Sequence, residues 1–426
     1  MRRHLLVSLV PLVLVACGGD ENAAAPSSSV DSGGRATSAA QQEQRSGVAR
    51  VAPDPAAPVD VAVRGVNNAG FGLLRQLFAG DDVVLSPTSV ATAFAMAAAG
   101  ADEATRAQLD AAFGFPAGEA LPVSMNALTA GLVADPLANP GESETPVFEL
   151  ANTGWAQQGV QVGAPFLDVL ATHYGAGVET VEFTAQEATR ARINAWIAER
   201  TRDRIPELLA APGLDPATRF ALANAAYFKA SWAAPFDEAA TAPAPFTALD
   251  GTVVQADTMH AQLPVGYVLD EDVIAVHLPY VGGEYVMTIA MPDDLAGFVA
   301  TADAETWRTL TDAAAQGDVV LSLPRWEAAT TADLAAPLTA MGLPIPGGAY
   351  PGILPEATVN SVAHGANITV DELGTQAAAA TVIGMVVSAP AEPPPTITID
   401  RPFVYTITHA PTGTILFAGI ETNPAT

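Results

Sequence analysis

Apolar residues recur at helical spacing over residues 61–78, which predicts an amphipathic helix with one buried face. Ser86-Pro87 then opens an Ala-rich run over 88–99 that holds Phe94 and Met96. Ser86 as N-cap and Pro87 at the first helical position form a sound start signal, and the apolar content predicts a buried helix. A third helix is expected over 188–201, where Ile193, Trp196 and Ile197 share a stripe. The second half of the chain changes period. Runs rich in β-branched and aromatic residues, many beside Gly or Pro turns, stand at 253–254, 273–278, 285–291, 319–323, 367–370, 396–399, 403–408 and 414–417. Helices early and strands late, without strict alternation, predict an α+β fold with mostly antiparallel sheets.

The start of the chain follows a different pattern. Arg2, Arg3 and His4 precede a largely apolar run over 5–16. A bilayer needs about 20 such residues, so the run fits a signal-peptide segment better than a membrane span. It ends in Leu14-Val15-Ala16-Cys17-Gly18, which resembles the bacterial lipobox. That resemblance implies removal of residues 1–16 and acylation of Cys17, giving an exported, membrane-anchored lipoprotein. Residues 17–58 are rich in Ala, Ser, Gly, Gln, Asp and Pro without apolar period, and read as a flexible tether. Residues 59–426 show no further linker and no internal repeat, and read as one domain.

Composition narrows the chemistry. The net charge of −28 argues against nucleic-acid or anionic-membrane binding, since phosphates need cations opposite them. Cys17 is the single cysteine, which excludes an internal disulfide, a CxxC pair and a thiolate zinc cluster. A hydrolase is the natural rival for an exported protein, but no GxSxG elbow occurs. The only lysine, Lys229, follows Ala226 by three residues, which removes an SxxK pair. HExxH, Walker and GxGxxG signatures are absent. No metal site and no cofactor are expected.

The most unusual segment follows Asp371. No residue between Glu372 and Glu392 is charged, and the next strand-like run starts only near Thr396. Loops longer than about 12–15 residues are usually functional, and surface loops are normally polar. Ala377 to Ala380 would suit a packed helix, but Gly374 and Gly384 flank them and β-branched residues follow. Read as a strand, Thr375, Ala377, Ala379, Thr381 and Ile383 fall on one face, all small or β-branched. Such a segment could enter an existing sheet without burying charge.

Glu372-Leu373-Gly374-Thr375-Gln376-Ala377-Ala378-Ala379-Ala380-Thr381 resembles the hinge of the reactive-centre loop of inhibitory serpins. Residues 84–96 resemble the family's helix B opening, Asn224 to Trp232 with Pro235-Phe236 its strand 3A end and breach, and Arg401-Pro402-Phe403, residues 413–419 and Asn423-Pro424 its C-terminal strands and ending. His364 precedes Glu372, and Asn224 precedes Trp232, at the family's spacing. The resemblance implies a fold of three mostly antiparallel sheets with about eight to nine helices and an exposed loop over about 372–395. It implies a shutter network of Ser86, Ser89, Asn224 and His364, and a breach at Trp232. Taken singly, Ser86 is equally a helix cap and Trp232 equally a core residue.

The same resemblance implies the function: a suicide inhibitor of serine proteases, with no catalytic residues of its own. Counting from Gly374 places the reactive bond at Ser388-Ala389, while counting back from Pro402 gives Ala391; Val387 and Met385 mark neighbouring candidates. Small and aliphatic residues there suggest an elastase-like or subtilisin-like target. Leu373 and Gln376 replace charged residues usual in the hinge, and Asp203 a common glycine. A non-inhibitory member would carry large or charged hinge residues, against which Ala377 to Ala380 argue. A monomer is expected.

Overall fold

The structure, a computed structural model, describes residues 12–17, 43–132, 146–200, 207, 209, 211, 214–375 and 393–425. Among these residues lie nine α-helices and sixteen strands. Helix α1 (Val59–Leu77) buries Val63, Val66, Phe71, Leu73 and Leu74 along one stripe. Helix α2 (Pro87–Ala98) is buried over its whole length and starts where the cap signal places it: Ser86 Oγ accepts from the Ser89 N–H. Its Ala-rich composition suits that position, since small side chains let layers close on both sides. The remaining helices are α3 (Glu103–Phe113), α4 (Ala120–Leu132), α5 (Ala164–Val169), α6 (Gln186–Arg200), α7 (Leu295–Thr301), α8 (Ala304–Asp312) and α9 (Ala335–Ala340).

Three sheets organise the domain. The first, sheet A, contains β1 (Leu12–Cys17), β3 (Val147–Gln157), β4 (Val178–Val181), β5 (Thr218–Ser231), β11 (Trp326–Asp333), β12 (Thr358–Asp371) and the two-residue β13 (Gly374–Thr375). Its spatial order runs β4, β3, β5, then β13 and β1 end to end, then β12 and β11. The other two sheets share one long strand, β7 (Val253–Leu269). Its first part pairs with β6 (Ala242–Thr247), its middle with β10 (Ala315–Pro324), and its end with β8 (Val273–Pro279). β10 carries β14 (Thr396–Thr398) at one edge, and β8 continues through β9 (Tyr285–Pro292), β15 (Phe403–His409) and β16 (Thr414–Glu421) to β2 (Val83–Leu85). Among the described residues only the β3–β4 and β10–β14 pairs are parallel. Helix α2 contacts both β5 and β16, so it fills the core between sheet A and the sheet of β8, β9, β15 and β16.

One expectation stands with an addition, and another needs correction. The first half is mainly helical, with α1 to α6, but it also holds the long strands β3 and β5. β5 is Ala-rich and mostly buried, and a strand covered on both faces shows no alternation to read. The tether expected over 17–58 is not free from Glu43 onward. Gln44 pairs with Val178 on β4, and Arg50 donates to Asn126 Oδ1 at 2.9 Å and Thr129 Oγ1 at 3.1 Å. Docked backbone and a satisfied guanidinium hold polar sequence that has no apolar period.

Candidate functional site

The hinge residues sit at one end of a slot between β5 and β12. Gly374 pairs with Ser231 and Asp371, and Thr375 with Ala230 and Val370, antiparallel to both neighbours. Sheet A is thus opened at this end, and the first two residues of the hinge strand already stand between its halves. Gly374 is required there. Its φ of +147° is one that side chains rarely adopt, and an added Cβ would fall on the Ala230 carbonyl oxygen.

The turn before it is fixed by hydrogen bonds. Asp371 Oδ1 accepts from the Leu373 N–H at 2.9 Å and from the Gly374 N–H at 3.1 Å. Half-burial raises the Asp371 pKa, its leading cause being the loss of water around the charge. Glu372 is buried; its Oε1 accepts from the Thr241 hydroxyl at 2.5 Å and has Arg325 Nη1 at 3.6 Å. Trp232 clamps the same turn. Its Nε1 donates to the Asp371 carbonyl and its backbone N–H to the Leu373 carbonyl, each at 2.9 Å. Its ring stacks on Tyr280 at 4.6 Å, and the Tyr280 hydroxyl shares a 2.6 Å hydrogen bond with Thr375 Oγ1. The indole therefore spans the turn, the tyrosine and the end of β5.

Trp232→Phe keeps the ring over Tyr280 but leaves the Asp371 carbonyl without its donor. The expected loss is about 1–3 kcal/mol in chemical denaturation; unchanged stability would show that this hydrogen bond does not hold the turn.

Deeper in the slot, Ser86 donates its backbone N–H to His364 Nε2 at 3.2 Å and its hydroxyl to the Leu416 carbonyl at 2.7 Å. His364 is wholly buried, and burial lowers its pKa to about 4, so it is neutral at pH 7. Accepting at Nε2 places its proton on Nδ1, which meets no partner among the described residues. Ser89 is buried beside Ser86, to whose hydroxyl its N–H points. Asn224 lies on β5 opposite Asn152, and its side chain lies outside the described ones. The structure thus joins Ser86, Ser89 and His364, in contacts that also tie β12 to α2 and β16.

Gln376, Ala377, Ala378, Ala379, Ala380, Thr381, Met385, Val387, Ser388, Ala389 and Ala391 lie outside the described residues, as does Asp203. Sequence reasoning missed Tyr280, Asp371, Thr241 and Arg325. Tyr280 meets Thr375 across 95 positions, and only its place at the end of a strand-like run set it apart.

A family profile described as Serpin (serine protease inhibitor) matches residues 64–424. Iripin-8 of Ixodes ricinus is 34% identical over 377 residues, covering 84% of this chain and 92% of that protein. The leukocyte elastase inhibitor of Sus scrofa is 31% identical, covering 83% of this chain and 96% of its own length. Among solved structures, the thermophilic serpin tengpin in its native state superposes with a TM-score of 0.75 at 23% identity, covering 89% of this chain and 97% of tengpin. Profile, relatives and fold agree: the chain belongs to the serpin family.

Proposed function

We propose that this serpin inhibits serine proteases by trapping an acyl-enzyme. A protease attacks the loop at Ser388-Ala389 or a neighbouring bond, and the cleaved loop then enters sheet A between β5 and β12 before the ester hydrolyses. The seating of Gly374 and Thr375 between those strands, in register and antiparallel to both, carries this reading. The uncharged, small side chains from Ala377 to Thr381 are compatible with entry into a buried sheet. Small and aliphatic residues around Ser388 favour an elastase-like or subtilisin-like target, and a relative is named for leukocyte elastase. A lipid on Cys17 would hold the inhibitor at the bacterial surface or in the periplasm, where exported proteases act.

The test incubates the processed chain, beginning at Cys17, with pancreatic elastase and with subtilisin. The expected result is a complex that survives denaturation, with a released peptide starting near Ala389. Cleavage without a complex and without a gain in thermal stability would overturn the reading in favour of a non-inhibitory serpin.

A further inference from the structure

The slot of sheet A has a second occupant. β1, which is the end of the leader segment through Cys17, pairs antiparallel with β5 on one side and β12 on the other. Its partners on β5 run from Asn224 opposite Leu12 to Thr218 opposite Cys17. On β12 they run from Ala363 opposite Val13 to Thr358 opposite Cys17. Among the described residues β5 and β12 do not pair with each other, so the hydrogen-bonding edges they turn toward the slot meet β13 at one end and β1 further along.

The two occupants share a register, apart from an irregularity at Ala16 by which the six leader residues cover seven ladder positions. Thr375 stands opposite Ala230 and Val370. Counting on residue by residue from there brings position 381 opposite Asn224, 382 opposite Ala223 and Ala363, and 387 opposite Thr218 and Thr358. Those are the partners of Leu12, Val13 and Cys17. The leader strand therefore lies on the ladder positions that loop residues 381–387 need, and in the same direction. Its composition also suits the place. Leu12 to Ala16 are uncharged and aliphatic, as Val382 to Val387 are, and the flanking Ala221, Leu222, Ala223 and Val362 are fully buried. Buried backbone N–H and C=O groups along β5 and β12 need partners, and either strand supplies the same set.

We propose that Leu12–Cys17 acts as an internal plug: while the leader remains attached, it keeps the cleaved reactive-centre loop from completing its strand, so the unprocessed chain is a protease substrate and not an inhibitor. The proposal rests on the inhibitor reading above and adds the step that arms it. Hydrolysis of the Ala16–Cys17 amide, with water adding hydroxyl to the Ala16 carbonyl and hydrogen to the Cys17 nitrogen, separates Leu12 to Ala16 from the domain. The competing strand then becomes a dissociable peptide. Inhibitory capacity would arise only on export, which protects proteases inside the producing cell.

The test compares the full chain, made with its leader retained, with the full-chain variant Leu14→Pro. Proline removes the N–H that Leu14 contributes to the ladder, and Leu14 precedes residues 64–424, which the family profile matches. Backbone hydrogen exchange should find Leu12–Cys17 and the facing segments of β5 and β12 protected in the natural chain, and all three faster in the variant. After limited subtilisin cleavage of the loop, the variant should rise in Tm and the natural chain should not. Exchange at Leu12–Cys17 as fast as in a free peptide overturns the plug, and so does an equal rise in Tm for both proteins. A missing rise in both, with Leu12–Cys17 protected only in the natural chain, counts against loop insertion while upholding the strand's occupancy of the slot.

Discussion

Gly374→Val is expected to convert the processed serpin from inhibitor to substrate. In its seated position residue 374 has a φ of +147°, and the Cβ that any replacement adds would overlap the Ala230 carbonyl. A β-branched residue at such a backbone costs about 1–3 kcal/mol before the overlap is counted. Relief requires Gly374 and Thr375 to leave the ladder, which also breaks the Tyr280–Thr375 hydrogen bond and the contact from the Trp232 N–H to the Leu373 carbonyl. Trapping is a race between loop entry and hydrolysis of the acyl-enzyme, and each 1.4 kcal/mol added to the entry barrier slows it by about tenfold. The fraction of protease trapped should fall by about ten- to a hundredfold, with cleavage of the loop undiminished. Leu373→Lys is the matched control: Leu373 is partly exposed and stands where the family usually carries charge. Trapping by that variant should be unchanged. Equal trapping by all three proteins would mean that entry does not begin at Gly374.

Of the hinge, Glu372 to Thr375 are described, and their stretch stood out in the sequence for a physical reason. A long uncharged run of small side chains is unusual between strands, so composition alone drew attention to this segment. Ser86-Pro87 was legible as a helix start, because cap and first-turn proline are local signals. β8, β9, β15 and β16 were legible because β-branched runs between Gly and Pro turns mark strands. β3 was not, and β5 only at its end, through the family resemblance, since this central strand is mostly buried and written in alanine, a residue that favours helices in isolation. The clamp around the turn was equally hidden. Trp232, Tyr280, Arg325 and Asp371 converge from three strand ends and one connection, and nothing in their spacing links them. β1 was read only as part of a resemblance to a processing signal, and its hydropathy gave no hint that it also pairs with β5 and β12. An uncharged aliphatic hexapeptide suits a peptidase, a bilayer and a central β-strand alike, and only the register distinguishes the last.

Acid should weaken the fold through the shutter, in a window set by His364. Burial holds its folded pKa near 4 against an ordinary value of about 6.5. Below pH 6.5 the unfolded chain takes up a proton that the folded chain refuses, so stability falls from pH 6.5 toward pH 4 and levels off beneath it. At pH 5 the loss is about 2 kcal/mol for this one residue. His277, also lowered to about 4 by burial, adds a loss of similar size. Glu421, raised to about 9 chiefly by burial and then by Asp82, runs the other way, gaining stability as pH falls from 9 toward its unfolded value. These two slopes are common to the natural chain and a His364→Gln variant, so their difference isolates His364. Gln keeps an acceptor for the Ser86 N–H and cannot titrate. Urea unfolding at pH 7.5 and pH 5.0 should show the variant losing about 2 kcal/mol less than the natural chain over that interval. The protonated ring would leave Ser86 N–H facing a donor, and the contact that ties β12 to the start of α2 would break. Parallel losses in the two proteins would mean that His364 is already reached by water, and that this contact does not hold β12 to the start of α2.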